Sequence, residues 1–312
     1  MRNDPPSDPV VILGFGPAAM SAIDALRGAG YAGEIVVITD GEALPSSPVL
    51  TSYHAAGAIG RENCFLWQER DVEARDLTVV PHESIAHLNA ARRTIAGGSG
   101  RTWRFSTCLI ATGSTPRASS AGPLGACDPL TLRTIGDAEA FATALENAED
   151  AHVLVSGTSM VALKAAETCL KRRAHVTMLG RSTHILRKAA PPSAAARMER
   201  LIADQGVDLA LGRKVASAQR LDGGGLSVLL EGDGLPRTFS TALVAHGMTP
   251  NIGFIAEGSL EIDRGIVVDR LMQTSVPGIF AAGDVAQAPC LTGGSGIAGL
   301  WAEARAMGAA AG

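Results

Sequence analysis

The segment Gly14-Phe15-Gly16-Pro17-Ala18-Ala19 holds the residue types that bring a peptide backbone against a pyrophosphate. In a Gly-x-Gly-x-x-Ala turn the first glycine permits the tight bend from strand to helix. The second removes the Cβ that would block a phosphate, and the small third residue lets helix and strand pack closely. Free N–H groups and the dipole at a helix start then favour the anion. Asp40 ends the next apolar run, where a carboxylate can accept hydrogen bonds from ribose hydroxyls. Gly14, Gly16, Pro17, Ala18 and Asp40 are therefore candidate nucleotide-binding residues.

A second, degraded version stands at Gly157-Thr158-Ser159-Met160-Val161-Ala162. Gly157 is kept, but Ser159 replaces the second glycine; its Cβ crowds a phosphate while its hydroxyl can still donate a hydrogen bond. The following strand ends Leu179-Gly180-Arg181, with no acid for a 2′-hydroxyl. Arg181, with Arg187 nearby, can instead pair with a 2′-phosphate, which favours NADPH slightly over NADH.

The elements that must hold these turns follow from hydrophobic patterning. Val10–Leu13, Glu34–Ile38, Cys108–Ala111, Val153–Ser156, His175–Leu179 and Leu243–Ala245 read as short strands, most of them continuous apolar runs of the buried parallel kind. Helices are predicted from the first turn to Leu26, over Glu62–Arg75, Asp137–Asn147, Leu163–Lys171, Ala194–Asp204 and Gly296–Ala311. Gly97–Gly100 reads as a hairpin tip, and the Pro/Gly/Ser-rich stretch from Pro116 to Pro129 as a domain boundary. The two βαβ units, about 140 residues apart, form a weak internal repeat. The expected fold is α/β, with two Rossmann-like domains and the second inserted into the first. The expected boundaries are 1–120 and 246–312 for the outer domain and 121–245 for the inserted one.

Composition narrows the function classes. The 312 residues are 46% hydrophobic and 19% charged with a net charge of −4, and no basic run points to nucleic acid. The Pro-rich start, Met1 to Pro9, reads as a polar tail without a signal-peptide pattern, and no apolar stretch is long enough to span a membrane. These features point to the cytoplasm. Cys64, Cys108, Cys127, Cys169 and Cys290 show no C-x-x-C spacing, the seven histidines are scattered, and neither a metal set nor an acid/base or nucleophile set is visible.

Taken together, the motifs resemble the pyridine-nucleotide-linked FAD oxidoreductases with a glutathione-reductase-like pair of dinucleotide folds. The matching pieces are Gly14–Ala19, Leu109-Ile110-Ala111-Thr112-Gly113, Gly157–Ala162, Ala245–Asn251 and Thr274–Val285. The resemblance implies that Ala111, Thr112 and Gly113 border the FAD, and that Gly283 and Asp284 meet its ribityl–phosphate region. Pro45, Pro48 and Leu300–Ala304 are most similar to ferredoxin, rubredoxin and nitrite-reductase-type flavoprotein reductases. In that group a tryptophan lies near the flavin, here Trp301. With Gly157, Ser159 and Arg181 for the nicotinamide nucleotide, the implied cofactors are FAD and NAD(P)H. The implied partner is an iron–sulfur electron carrier or a catalytic oxidoreductase subunit.

Departures from the group have consequences. No redox cysteine pair is present, and Pro48 stands where single-cysteine relatives carry a cysteine, so disulfide chemistry is excluded. Ser52 replaces a lysine of ferredoxin reductases, and Lys164 a glutamate near the nicotinamide. Relatives continue beyond the closing helix into an interface domain, whereas this sequence stops at Gly312. The expected activity is hydride transfer from NAD(P)H to flavin, then electron transfer to a protein partner. An FAD-binding relay or structural subunit that does not use NAD(P)H is the alternative, and a flavin-dependent oxidase of a small substrate the third reading.

Overall fold

A computed structural model describes residues 8–146, 151–187, 189–290 and 293–312. Most of the N-terminal tail and Asn147 lie outside the described residues. The elements used below are, in chain order, β1 (Val10–Leu13), α1 (Pro17–Gly28), β2 (Ile35–Ile38), α2 (Thr51–Ala55), β3 (Leu77–Val80), β4 (Thr107–Ile110) and α3 (Ile135–Ala144). They continue with β5 (His152–Ser156), α4 (Met160–Lys171), β6 (His175–Gly180), α5 (Pro192–Asp204), β7 (Val207–Leu211), β8 (Thr241–Val244), β9 (Ile279–Ala281) and α6 (Trp301–Ala311).

The chain divides into two compact units: residues 1–47, 65–115 and 250–312 form the first, and 48–64 with 116–249 the second. The first is built on a parallel sheet in the order β9-β4-β1-β2-β3. Every residue of β1 and β2 is buried, as expected for strands covered on both faces. From β1 the chain runs through α1 to β2 on one side, while β4 and β9 lie on the other, so the strand order reverses between β1 and β4. An antiparallel hairpin sheet, Ile85–Asn89, Thr94–Gly97 and Thr102–Arg104, belongs to the same unit, with the expected glycine tip.

The second unit repeats the plan with a parallel sheet ordered β7-β6-β5-β8. Its strand order reverses between β5 and β8. Phe141, Val153, Val155, Ala165, Met178 and Leu243 lie in its core. A reciprocal cap starts α3: the Thr134 hydroxyl accepts from Asp137 N–H, and the Asp137 carboxylate accepts from Thr134 N–H at 3.1 Å.

Three expectations differ from the structure. Residues 48–64 cluster with the second unit rather than the outer domain. Thr168 Oγ1 donates to Ser52 O at 3.2 Å and Arg172 Nε to Ala55 O at 3.1 Å, which ties α2 to α4. The helix expected over 62–75 is a 3₁₀ turn at Arg61–Cys64 and a short helix at Glu69–Glu73. Between them Phe65 bridges Ser46 and Leu66 N–H bonds to Pro45 O, because the continuous run Cys64–Trp67 has no single helical face to bury. The last helix starts at Trp301, not Gly296, since Ser295–Ile297 pairs antiparallel with Ala286–Pro289.

The tightest packing in the first unit is between α1 and α6. A Cβ on Gly308 would lie 2.0 Å from Ala18 O, and one on Gly312 would lie 2.3 Å from Ala22 O. The two helices thus touch along a small-residue stripe with no room for a methyl group. Gly308→Val is expected to destabilise the protein by about 3 kcal/mol or more and to displace the start of α1. A thermal melt checks this: an unchanged melting temperature would show that the helices separate freely.

Candidate functional site

In the first unit the candidate residues gather at the C-terminal ends of β1, β2, β4 and β9. This is where an open α/β sheet places a ligand when its strand order reverses. Gly14 follows β1 at φ +94°, and a Cβ there would lie 2.4 Å from Ala111 O. Glycine is required twice over, by conformation and by the carbonyl that follows β4. Gly16 caps α1 in extended geometry, and a Cβ on it would meet nothing within 4 Å. Pro17 occupies the first turn, Ala18 and Ala19 are buried, and no acidic residue sits in that turn to oppose an anion. Asp40 is exposed just past β2.

The segment after β4 is clasped by Asn251. Thr112 Oγ1 donates to Asn251 O at 2.9 Å, Asn251 Nδ2 to Thr112 O at 2.8 Å, and Asn251 N–H to Gly113 O at 3.0 Å. Thr115 Oγ1 donates to Asn251 Oδ1 at 2.6 Å. Ser114 Oγ then donates to Asp284 Oδ2 at 3.0 Å, which fixes the carboxylate just beyond β9. Gly283 turns the chain at φ +79° and lies against Ala18 and Ala304. Sequence reading did not identify this clasp: Asn251 stood in a recognised segment, but its contact with Thr112, 139 positions away, is a tertiary fact.

Trp301 opens α6 and is partly exposed, with the Arg305 guanidinium 4.9 Å from its ring centroid. Its Nε1–H is shielded from solvent and has no hydrogen-bond partner among the described residues. A shielded donor without a partner is costly in a folded protein, and a polar cofactor edge would satisfy it. The open space above Gly16, the carboxylate-free start of α1 and this orphaned donor together fit a flavin dinucleotide. Glu83, whose N–H donates to Thr39 O at 2.9 Å, receives the Ser99 hydroxyl at 2.5 Å, and that bond holds its carboxyl below the usual range.

In the second unit a cavity of about 550 Å³ opens over the Gly157 turn. Gly157 has φ +142°, and a Cβ there would lie 2.7 Å from Ala245 O, the same relation that Gly14 has to Ala111. Ser159 caps α4: its hydroxyl accepts from Ala162 N–H at 3.4 Å, and the hydroxyl proton remains available to a ligand. Arg181, Arg187, Arg213 and Lys214 line the cavity. Arg213 is engaged by Asp233 and Glu231 O, whereas Arg181 and Arg187 are exposed. Gly180 ends β6, and a Cβ there would lie 2.2 Å from the Thr158 methyl. Gly157 N–H bonds to Leu179 O just as Gly14 N–H bonds to Ile38 O, so Arg181 stands at the position that Asp40 holds in the first unit.

Three lining residues went unpredicted. His246 Nε2 lies 2.8 Å from Ser156 Oγ at the cavity wall, and Arg213 and Lys214 arrive from beyond β7. Lys164, one turn into α4, pairs with Glu167 at 2.5 Å and lies 4.2 Å from the Tyr53 ring centroid. The five cysteines are free thiols; Cys64, Cys108, Cys127 and Cys169 are buried. Burial pushes the Cys108 thiol up and that of Cys169 up to about 12, so neither is a ready thiolate.

These two sites match known proteins along almost the whole chain. Residues 8–308 match the family described as pyridine nucleotide-disulphide oxidoreductase. Putidaredoxin reductase of Pseudomonas putida is 29% identical over 286 residues, covering 90% of this chain and 67% of that protein. The ferredoxin–NAD(+) reductase component of the p-cumate 2,3-dioxygenase system, also of Pseudomonas putida, is 29% identical over 296 residues, 95% of this chain and 72% of the relative. The crystal structure of the covalent putidaredoxin reductase–putidaredoxin complex superimposes with a TM-score of 0.89 at 27% identity, over 98% of this chain and 75% of that one. Two glycine turns at two strand-order reversals, and a family match that spans both, place this chain in the pyridine nucleotide-disulphide oxidoreductase family.

Proposed function

We propose that this chain is an FAD-dependent NAD(P)H oxidoreductase that passes electrons to an iron–sulfur carrier or a catalytic partner subunit. The observation that carries the reading is the cavity over the Gly157 turn, with Arg181 and Arg187 exposed along it. A flavin relay that takes no nicotinamide nucleotide needs no such cavity. The relatives support the partner: one is named a ferredoxin–NAD(+) reductase component, and another was crystallised joined to putidaredoxin.

We assign FAD to the first unit. Gly14, Gly16, Pro17 and Ala18 offer the start of α1 to the pyrophosphate, and Asp40 takes the ribose hydroxyls. Ala111, Thr112 and Gly113 form a wall that Asn251 stiffens. Asp284, with Gly283 behind it, meets the ribityl–phosphate region in the orientation that Ser114 sets. Trp301 supplies a flat face and an unused donor. The bound flavin supplies the redox chemistry, accepting hydride from a nicotinamide and releasing electrons singly or in pairs. The protein's own task is to bind and orient.

Gly157 and Ser159 belong to the nicotinamide nucleotide in this reading, and the preference is for NADPH. Arg181 stands where Asp40 stands in the first unit, so no carboxylate there repels a 2′-phosphate, and Arg187 and Arg213 line the same cavity. The protein acts in the cytoplasm; the four buried free thiols fit a reducing compartment, and among the described residues no helix is long and apolar enough to cross a membrane. One observation favours the relay reading instead: Lys164 carries a cation where similar reductases have a glutamate, and it is already committed to Glu167.

Anaerobic titration of the purified flavoprotein separates the two. Rapid bleaching of the flavin bands by NADPH is expected; bands that persist with both nucleotides yet bleach with dithionite would move the assignment to a relay subunit. Arg181→Ala should weaken NADPH about tenfold and NADH less than about twofold, the weight of one charge-assisted hydrogen bond. Equal effects on both nucleotides would remove the 2′-phosphate argument. Asp284→Ala should yield largely colourless protein, and full flavin content in that variant would refute its assignment.

A further inference from the structure

Two of the three arginines that line the nucleotide cavity, Arg181 and Arg187, lie on the stretch 181–187, and the backbone of that stretch is held in place by a side chain outside the cavity. Glu199, on α5, is shielded from solvent, with a side-chain exposure of 15%. Its Oε1 accepts from Ile185 N–H at 2.9 Å, and His184 Nδ1 lies 3.2 Å from the same oxygen. The next residue, Leu186, sits at φ +52°, a conformation that costs a branched side chain about 1 kcal/mol or more. Such a conformation persists only where its surroundings fix it. Leu186 N–H donates to Thr158 O at 2.8 Å, inside the glycine turn itself, and the Ile185 side chain is fully buried. Arg187 follows directly. Its direction into the cavity is thus set by two consecutive backbone N–H groups, one pinned by Glu199 and one by Thr158.

We propose that Glu199 is a positioning residue for nucleotide choice: it fixes the turn at 184–186 so that Arg187 stands with Arg181 where a 2′-phosphate binds. The proposal rests on the NADPH reading above and deepens it. Glu199 touches no nucleotide. A carboxylate beside the phosphate would be repulsive, but Glu199 is not among the residues that line the cavity, and its Oε1 is turned to Ile185 N–H and His184 Nδ1. Removing it frees a strained turn next to Arg187, while the Gly157 turn and the start of α4, which would serve any dinucleotide, keep their own hydrogen bonds.

The test titrates the flavin-loaded protein with adenosine 2′,5′-bisphosphate and with 5′-AMP, which differ only in the 2′-phosphate. The unaltered protein should prefer the bisphosphate. In Glu199→Ala the bisphosphate should weaken about tenfold and 5′-AMP less than about twofold, as expected when one charge-assisted contact is lost. In steady state the KM for NADPH should rise by a similar factor without a matching fall in kcat. Glu199→Gln, whose amide oxygen still accepts from Ile185 N–H, should restore most of the preference. Glu199→Asp keeps the charge but withdraws the acceptor by one methylene, so it should behave like the alanine variant and serves if that variant does not fold. A Glu199→Ala protein that keeps the full preference, or equal weakening of both ligands in the alanine and glutamine variants, overturns the proposal and leaves the NADPH reading intact. No preference in the unaltered protein overturns the NADPH reading, and the role of Glu199 falls with it.

Discussion

In each unit a backbone carbonyl passes so close to a glycine that no side chain could be accommodated there. Ala111 O sits 2.4 Å from where a Cβ on Gly14 would be, and Ala245 O sits 2.7 Å from where one on Gly157 would be. Each contact lies where the strand order reverses, between the ends of β1 and β4 in one unit and of β5 and β8 in the other. A larger residue would push those strand ends apart and tilt the helix that starts just beyond. The direction of α1 and of α4, and so the placement of the N–H groups that would face a phosphate, depends on these two clearances.

Small residues extend the same logic to the closing helix. Gly308 and Gly312 let α6 lie directly on Ala18 and Ala22 of α1, and Gly283 rests on Ala18 from another side. The start of α1 is thereby fixed from β4, β9 and α6 at once. An alanine- and glycine-rich composition with few aromatics gives up bulky core side chains for close backbone approach. The polar clasp of Thr112, Ser114, Asn251 and Asp284 then needs little further ordering, since the backbone beneath it is held. Such preorganisation is what a cofactor site requires when the protein's role is orientation.

The two units differ in how they treat an anion. The first leaves the cradle over Gly16 open and places carboxylates at its flanks, at Asp40 and Asp284. The second puts a serine cap at the corresponding place and surrounds the cavity with arginines and a lysine. The described lining of that cavity thus carries four basic side chains, Arg181, Arg187, Arg213 and Lys214.

The sequence by itself determined the α/β class, the two glycine turns, the hairpin tip at Gly97–Gly100 and most strands, because continuous apolar runs ending in glycine carry their own signal. It also supplied Asp40 and Arg181 as candidates, since each stands at a strand end that the pattern locates, and Asp284 through the resemblance of Thr274–Val285 to a known family. It misjudged the helix starts at 62 and 296, where strand pairing and an unbroken apolar run outweighed helical periodicity. It put residues 48–64 with the outer domain, whereas hydrogen bonds from Thr168 and Arg172 tie them to α4. Only the tertiary structure decided that Asn251 clasps Thr112, that Ser114 orients Asp284 and that Glu199 holds the turn before Arg187. Those partners are far apart in the chain, and a hydrogen bond between distant segments leaves no periodicity or spacing to read.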